Sequence, residues 1–591
     1  MAMVNLTIDG RKVSAPPGST VLEAARLGNI DIPTLCDHPA LAPIGACRMC
    51  LVEIKGQRTL QPACTFPITE GMEVQTESEK VTEARRFVLD LLFSERNHYC
   101  MYCEMTGDCE LQALGYRYGI DHWIYPTYTK RFPVDATRTY FIMDHNRCIL
   151  CRRCIRACSE LVANHTLGMR QRGAESMIQA DMNVPFGDSS CISCGTCLQV
   201  CPTGALVDKR SAFMGRDVET EHIKSTCSQC SVGCGMEIVT RAGNVLRVEG
   251  DWDAPVNAGL LCQAGRFDPL YDERERVTQP MVRKNGKLEA VDWDTALQAV
   301  AKSMNSSKKL GVLASTHATN EALYLLSKLF GDELKVSNVG LLNEAAPAIS
   351  QKAGSLADIE ESDMILVVGT DPANDQPVAS FFVKRAVDKG ARLIVVDGKD
   401  NGLAPFAYKH LEMKDIDQAA EMAGRAENPT VLYGTGVTKD AISALKKLAK
   451  ASFVAIEPGV NTRAAAAHGL NNSFDPAAAE AVFVMVGEQV VEGTMVPKVK
   501  KGAFVVAQAS YASPWTERAD VVLPMAIWSE RSGSFTSTEG RVQKASKAVE
   551  ARGEAKPDWE ILSLLAAKMG KKLGASLEKL SALAAEAINP A

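Results

Sequence analysis

Nineteen cysteines lie between Cys36 and Cys262, and the rest of the 591-residue chain contains none. They fall in tight local groups. Disulfide-dense frameworks belong to small secreted chains that cannot bury a core, whereas this chain exceeds the ~250 to 300 residues at which single cores stop growing. Several domains are therefore expected, with the thiols acting as clustered metal ligands. An apolar content of 46% is ordinary, and a net charge of -6 with both signs mixed leaves no basic stripe or acidic tail, which argues against nucleic-acid or membrane-surface binding. Met1-Ala2-Met3-Val4-Asn5 shows no basic region leading into an apolar stretch, and no apolar run approaches the ~18 residues of a spanning helix. The expectation is a soluble, cytoplasmic protein with no membrane span.

Residues 3–8 and 11–15 alternate apolar and polar around Asp9-Gly10, a hairpin turn pair. A helix follows, opened by Thr20 and Glu23 at capping-box spacing and carrying Val21, Leu22, Ala25 and Leu27. A hairpin with a helix across it suits a β-grasp domain over residues 1–78. Its cysteines are Cys36-x10-Cys47-x2-Cys50-x13-Cys64, a pattern that resembles the 2Fe-2S ferredoxin domain of complex I and of hydrogenases. That resemblance implies one 2Fe-2S cluster on Cys36, Cys47, Cys50 and Cys64, with Gly45 and Ala46 letting backbone amides approach the sulfurs. Structural zinc also takes four thiolates, but it normally uses two close pairs, not a long loop plus one pair.

Residues 79–95 read as a helix with Val81, Ala84, Phe87, Val88, Leu91 and Leu92 on one face. It leads, within a segment 79–138, to His98-x-Cys100-x2-Cys103-x5-Cys109. Three cysteines cannot complete a four-iron cubane, and an imidazole can stand in for the fourth thiolate. The segment resembles the His-ligated 4Fe-4S region of the G-type subunit of complex I and of NAD-reducing hydrogenases, which implies ligation by His98, Cys100, Cys103 and Cys109. The usual family spacing would put the histidine at Arg96. His122 or water are the other candidates for the fourth ligand.

Within residues 139–220 stand two runs, Cys148-x2-Cys151-x2-Cys154-x3-Cys158 and Cys191-x2-Cys194-x2-Cys197-x3-Cys201, the second followed by Pro202 and the first by Ser159. In two-cluster ferredoxins the fourth cysteine of each run serves the other cluster. The resemblance therefore implies one 4Fe-4S cluster on Cys148, Cys151, Cys154 and Cys201 and another on Cys191, Cys194, Cys197 and Cys158.

Residues 221–280 hold Cys227-x2-Cys230-x3-Cys234-x27-Cys262, which resembles the 4Fe-4S subdomain of the molybdopterin oxidoreductase family. The likeness continues through Gly259-Leu260-Leu261-Cys262, Gly265-Arg266-Phe267, Val291-Asp292-Trp293-Asp294, Ala519-Asp520-Val521-Val522-Leu523-Pro524 and Phe535-Thr536-Ser537-Thr538-Glu539-Gly540-Arg541. Apolar runs at 310–313, 364–368, 392–396, 431–433, 453–456, 482–486 and 504–506 alternate with helical segments, a doubly wound α/β pattern over residues 281–591. Glycines after strand ends, as in Val368-Gly369-Thr370-Asp371-Pro372 and Val396-Asp397-Gly398, stand where such sheets bind ligands, although turns need glycine for geometry alone.

The chain departs from that family in having no cysteine after Cys262, Ala264 where a lysine is frequent, and little sequence beyond Gly540-Arg541. Molybdopterin is therefore expected to be absent and the domain to be a truncated scaffold. The whole is a multidomain α+β and α/β chain, expected to carry one 2Fe-2S and four 4Fe-4S clusters and no catalytic residue of its own. No dinucleotide fingerprint, phosphate loop or nucleophile triad is visible. The expected role is the electron-transfer subunit of an NAD(P)H-linked oxidoreductase, wiring a flavin/NAD(P) iron-sulfur subunit to a terminal redox subunit such as a hydrogenase, with electron bifurcation and a small thioredoxin-like 2Fe-2S subunit as further options. An iron-iron hydrogenase is excluded, because no cysteines remain for its catalytic cluster. The alternatives are the G-type subunit of NADH:quinone oxidoreductase (complex I) and the α-type subunit of an NAD-dependent formate dehydrogenase with a molybdenum or tungsten pterin site.

Overall fold

Asp9 and Gly10 turn the chain with φ of 48° and 78°, the left-handed pair that matches the twist of a two-residue hairpin. They join Val4–Ile8 to Arg11–Ala15, Glu73–Gln75 adds parallel to the first strand, and Leu51–Ile54 with Gln61–Pro62 completes a five-stranded sheet. Across it lies the helix Val21–Leu27, whose Thr20 cap and Glu23 exchange hydrogen bonds, and which buries Val21, Leu22, Ala24 and Ala25. The computed structural model describes residues 3–122, 124–126, 131–349, 351–398 and 400–588. It divides into two compact units, Met1–Thr220 and Glu221–Ala591.

Helix Glu79–Glu95 forms where the periodicity places it, but a different face turns inward. Phe87 and Leu91 are 50% and 42% exposed, while Val81, Arg85, Leu89 and Phe93 are buried. The reason is Arg85, which is fully buried and donates to the carbonyls of Met49 and Leu51, to Tyr118 Oη and to Glu77. The guanidinium satisfies backbone acceptors of the Cys47–Cys50 loop, and this outweighs the simple apolar stripe in setting the helix's rotation.

The two ferredoxin runs repeat one backbone design. Leu150 and Arg152 follow Cys148 at φ of 55° and 60°, and Ser193 and Gly195 follow Cys191 at 53° and 72°. Each turn then enters a short helix, Arg153–Arg156 or Thr196–Gln199. Left-handed backbone at non-glycine residues costs free energy and persists where a site demands it.

In the second unit, the strands Glu221–Thr226, Gly235–Arg241 and Asn244–Gly250 form an antiparallel sheet. The seven apolar runs all become strands, divided between two largely parallel sheets. Leu310–Ala314, Ala481–Gly487 and Phe504–Ala509 sit in a seven-stranded sheet; Met364–Val368, Arg392–Val396, Pro429–Tyr433 and Ser452–Ala455 sit in a five-stranded one. Each packs its own core of buried aliphatic side chains between sheet and helices. Among the described residues no helix is long and apolar enough to cross a membrane.

Candidate metal centres

All nineteen cysteines are free thiols, and they gather in sets. In the N-terminal sheet domain the Cys36 and Cys47 amides each donate to the other residue's sulfur, at 3.3 and 3.4 Å. The Cys47 thiol pulls Cys36 down to about 6, assisted by backbone amides including that of Ala46, while Cys47 is pushed up by the same shared proton and by burial. Cys64 and Cys50 form a second such pair, Cys64 lowered and Cys50 raised, and the Gly45 amide favours the Cys64 thiolate. Arg156 reaches the carbonyls of Cys36 and Ala42, tying this loop to the first ferredoxin run.

A small cavity is lined by His98, Cys100, Cys103 and Cys109. The His98 ring packs edge-on against Phe93, and its buried Nε2 has no hydrogen-bond partner. Burial, then the charges of Arg147 and Arg96, lower its pKa to about 4, so the imidazole is neutral and free to donate a lone pair to a metal. His122 is 78% exposed and paired with Asp121, and it does not line the cavity. Arg96 is buried elsewhere, donating to the carbonyls of His145 and Ser176 and lying 4.0 Å above the Phe132 ring. Burial raises the Cys109 thiol to about 12.

A second small cavity is lined by Cys148, Cys151, Cys154 and Cys201. Burial raises all four thiols, Cys148 to about 11. Cys158 instead lies in the field of Cys194 and Cys191, and Cys197 in that of Cys194, Cys191 and Cys158. The left-handed turns supply amides to sulfur, from Leu150 to Cys148 and from Ser193 to Cys191, both at 3.4 Å.

Cys227, Cys234 and Cys262 are buried and Cys230 is half-buried, and desolvation raises every one of them, Cys227 to about 12. The Cys227 amide donates to the Cys234 carbonyl at 2.8 Å. Asn257 holds the Cys262 loop against this turn, bonding both backbone groups of Gly235 and the Leu260 carbonyl. Four neutral thiols facing one another would repel as thiolates, and a cationic metal cluster is the group that relieves both the repulsion and the desolvation.

Beside this turn opens a large cleft lined by Gln229, Ala264 and His317, with the carboxylates of Asp268, Asp272, Glu273 and Glu488 and the guanidinium of Arg274; no cysteine or serine lines it. Burial raises the Glu488 carboxyl, and Arg531 pairs with it at 2.9 Å. The crevice at the ends of Met364–Val368 and Pro429–Tyr433 is sealed by backbone. Gly369, at φ of 58°, accepts from the Gly436 amide, and a Cβ there would fall 2.5 Å from the Gly436 carbonyl carbon.

Several residues at these sites had no signal in the cysteine spacing: Arg147, Arg153, Thr203 and Gly204 all come from chain segments that only the fold brings together. So do His222, Glu237 and Glu249, whose ligand atoms lie within 4.8 Å of one another on the three-stranded sheet. Lys224 and Arg247 already pair with those carboxylates, at 3.9 and 2.6 Å.

Known families match the chain segment by segment. Residues 1–79 match a 2Fe-2S iron-sulfur cluster binding domain, 85–123 the NADH-ubiquinone oxidoreductase-G iron-sulfur binding region and 147–205 a 4Fe-4S dicluster domain. Residues 220–269 match the molybdopterin oxidoreductase Fe4S4 domain and 276–568 molybdopterin oxidoreductase itself. NADH-quinone oxidoreductase subunit 3 of Thermus thermophilus is 30% identical over 96% of this chain and 83% of its own length. The chain belongs to the NADH-quinone oxidoreductase subunit 3/G family. The NADPH-Fe(3+) oxidoreductase subunit alpha of Geobacter sulfurreducens is 27% identical over 95% of this chain and 81% of that one. A chain of the NAD+-reducing NiFe-hydrogenase aligns over 36% of this chain and 92% of that one, at 36% identity and a TM-score of 0.35. As a subunit 3/G family member, the chain is an iron-sulfur subunit related to NADH dehydrogenase and formate dehydrogenase oxidoreductases.

Proposed function

We propose that this chain is the iron-sulfur relay subunit of an NAD(P)H-linked oxidoreductase of the NADH-quinone oxidoreductase kind. It would take single electrons from a flavin-bearing, NAD(P)H-oxidising partner and hand them to a further redox subunit. The ligand sets are Cys36, Cys47, Cys50 and Cys64 for a 2Fe-2S cluster, and for 4Fe-4S clusters the His98, Cys148, Cys191 and Cys227 sets, with Cys158 and Cys201 exchanged between the ferredoxin runs. When bound, these clusters accept and release one electron each without bond breaking. The protein's part is to hold neutral imidazole and thiols in position, to aim amides at sulfur and to keep water out. The observation that carries the reading is the unpartnered, buried Nε2 of His98 in a cavity shared with three thiols.

A metal-bound pterin does not suit the large cavity of the second unit. Its lining offers four carboxylates to a ligand that carries phosphate groups, and neither a cysteine nor a serine to grip a metal. We therefore read the C-terminal domain as a scaffold around the Cys227 set. So many free thiols suit a reducing compartment such as the cytoplasm. A second reading, a hydrogenase-linked assembly that includes a small thioredoxin-like 2Fe-2S subunit, draws on the complete second run Cys191 to Cys201.

The test is an oxygen-free preparation. About eighteen iron atoms per chain, EPR signals from one two-iron and several four-iron centres on reduction, and no molybdenum or tungsten are expected. Zinc in place of iron, or a stoichiometric pterin metal, would refute the proposal.

A further inference from the structure

The cavity of His98, Cys100, Cys103 and Cys109 and that of Cys148, Cys151, Cys154 and Cys201 share a wall. Thr203 lines both. Its neighbour Gly204 lines the first, and a Cβ on Gly204 would fall 2.7 Å from Cys103 Sγ. No side chain fits there, so the backbone itself lies against the sulfur. Three residues earlier in the chain stands Cys201 of the other set. From the sulfur of Cys103 to the sulfur of Cys201 there is thus one non-bonded contact and then an unbroken line of covalent bonds.

Three fastenings hold this segment. The Pro202 carbonyl accepts from the amide of Glu110, the residue after Cys109, at 2.9 Å. Thr203 Oγ1 donates to the carbonyl of Arg147, the residue before Cys148, at 2.8 Å. Glu110 receives a two-pronged contact from the buried guanidinium of Arg153, beside Cys154, at 2.6 and 2.8 Å. The first and third join a neighbour of Cys109 in one set to neighbours of Cys201 and Cys154 in the other, and the second ties Thr203 to Arg147, the neighbour of Cys148 that also lines the first cavity.

We propose that Pro202-Thr203-Gly204 is the electron bridge between these two sites and that Thr203 is its positioning residue. The proposal rests on the reading that both cavities hold 4Fe-4S clusters. Electron tunnelling weakens steeply across a through-space gap and far more slowly along bonds, so a single contact followed by backbone carries electrons better than a path through the cavity side chains. An electron crossing the segment lowers the charge of one site by one unit and raises that of the other by one. No bond is made or broken and no proton moves. The Thr203 hydroxyl does not touch the electron; it fixes the backbone so that the Gly204 contact with Cys103 is kept.

The test compares T203V, T203S and G204A with the parent in the full chain, prepared without oxygen, by iron content, by EPR of each cluster and by the rate of electron redistribution after flash reduction. T203V removes the bond to the Arg147 carbonyl, and with it the hydroxyl's 4.0 Å contact with Cys201 Sγ, at nearly constant shape; unchanged iron and an unchanged signal of the His98 site are expected, with a several-fold slower redistribution and a weaker magnetic interaction between the two clusters. T203S restores both. G204A forces a methyl group onto Cys103 and is expected to alter the signal of the His98 site alone. A T203V chain with parental rate and parental interaction overturns the bridge. A parent chain lacking the two four-iron signals overturns the cluster reading, and the bridge with it.

Discussion

Replacing Arg85 with methionine tests whether a buried guanidinium fastens helix Glu79–Glu95 to the 2Fe-2S loop. The side chain is wholly buried and serves the Met49 carbonyl at 3.0 Å, the Leu51 carbonyl at 2.8 Å and Tyr118 Oη at 2.8 Å. Methionine fills comparable space but donates nothing, so two carbonyls near the loop lose their donor, at ~1–3 kcal/mol each. The Glu77 contact adds little, because that carboxylate is 48% exposed. A loss of ~4 kcal/mol is expected. With a urea dependence of ~2 kcal/mol/M, the unfolding midpoint read from the visible circular dichroism of the two-iron centre should fall by ~2 M. Leu91→Ser is the control. Leu91 belongs to the apolar stripe that sequence periodicity turns inward, yet it is 42% exposed, so this change should cost less than ~0.5 kcal/mol. A midpoint unmoved in R85M, or a loss in L91S as large as that in R85M, would refute the assignment of the buried face.

His98→Ala should cost about four of about eighteen iron atoms and erase one four-iron EPR signal, while His122→Ala leaves both unchanged, by metal analysis and spectroscopy. Cys201→Ser should disturb the signal of the Cys148 set and Cys158→Ser that of the Cys191 set; the opposite pairing would show that each run serves its own cluster. Burial raises Cys109 and the thiols of the Cys148 and Cys227 sets in the metal-free fold, Cys227 and Cys109 to about 12, above the ~8.5 of an unfolded thiol. The folded apo-chain then holds protons the unfolded chain has released, so the stability from these groups is complete below pH ~8.5 and declines as pH rises through the folded values. Thermal unfolding of the metal-free chain from pH 8 to 11 should show that decline, and the iron-loaded chain should not.

Cysteine spacing made the metal-binding segments legible, because ligands of one cluster lie close in sequence and their intervals are fixed by cluster geometry. The Asp9-Gly10 hairpin and the Thr20–Glu23 capping box were legible too, since both are decided by local backbone chemistry. The seven buried strands could be found from apolar runs, but not their division between two sheets, because a strand buried on both faces has no alternation to show which neighbours it has. Arg85 and Arg96 were invisible for another reason. A buried arginine is placed by distant carbonyls, and periodicity counts it as solvent-facing. Gly204 reads in sequence as one more turn glycine; only the fold reveals the sulfur that excludes a side chain.

The shared wall has a bearing on how the polypeptide matures as it is made. Cys100, Cys103 and Cys109 leave the ribosome well before Thr203 and Gly204, which close their cavity. At ~5–20 residues per second, those thiols wait on the order of ten seconds in an open cradle. Iron delivered in that interval would meet a half-built pocket, so loading of the two adjoining sites is expected to follow synthesis of the complete wall and to proceed as one event.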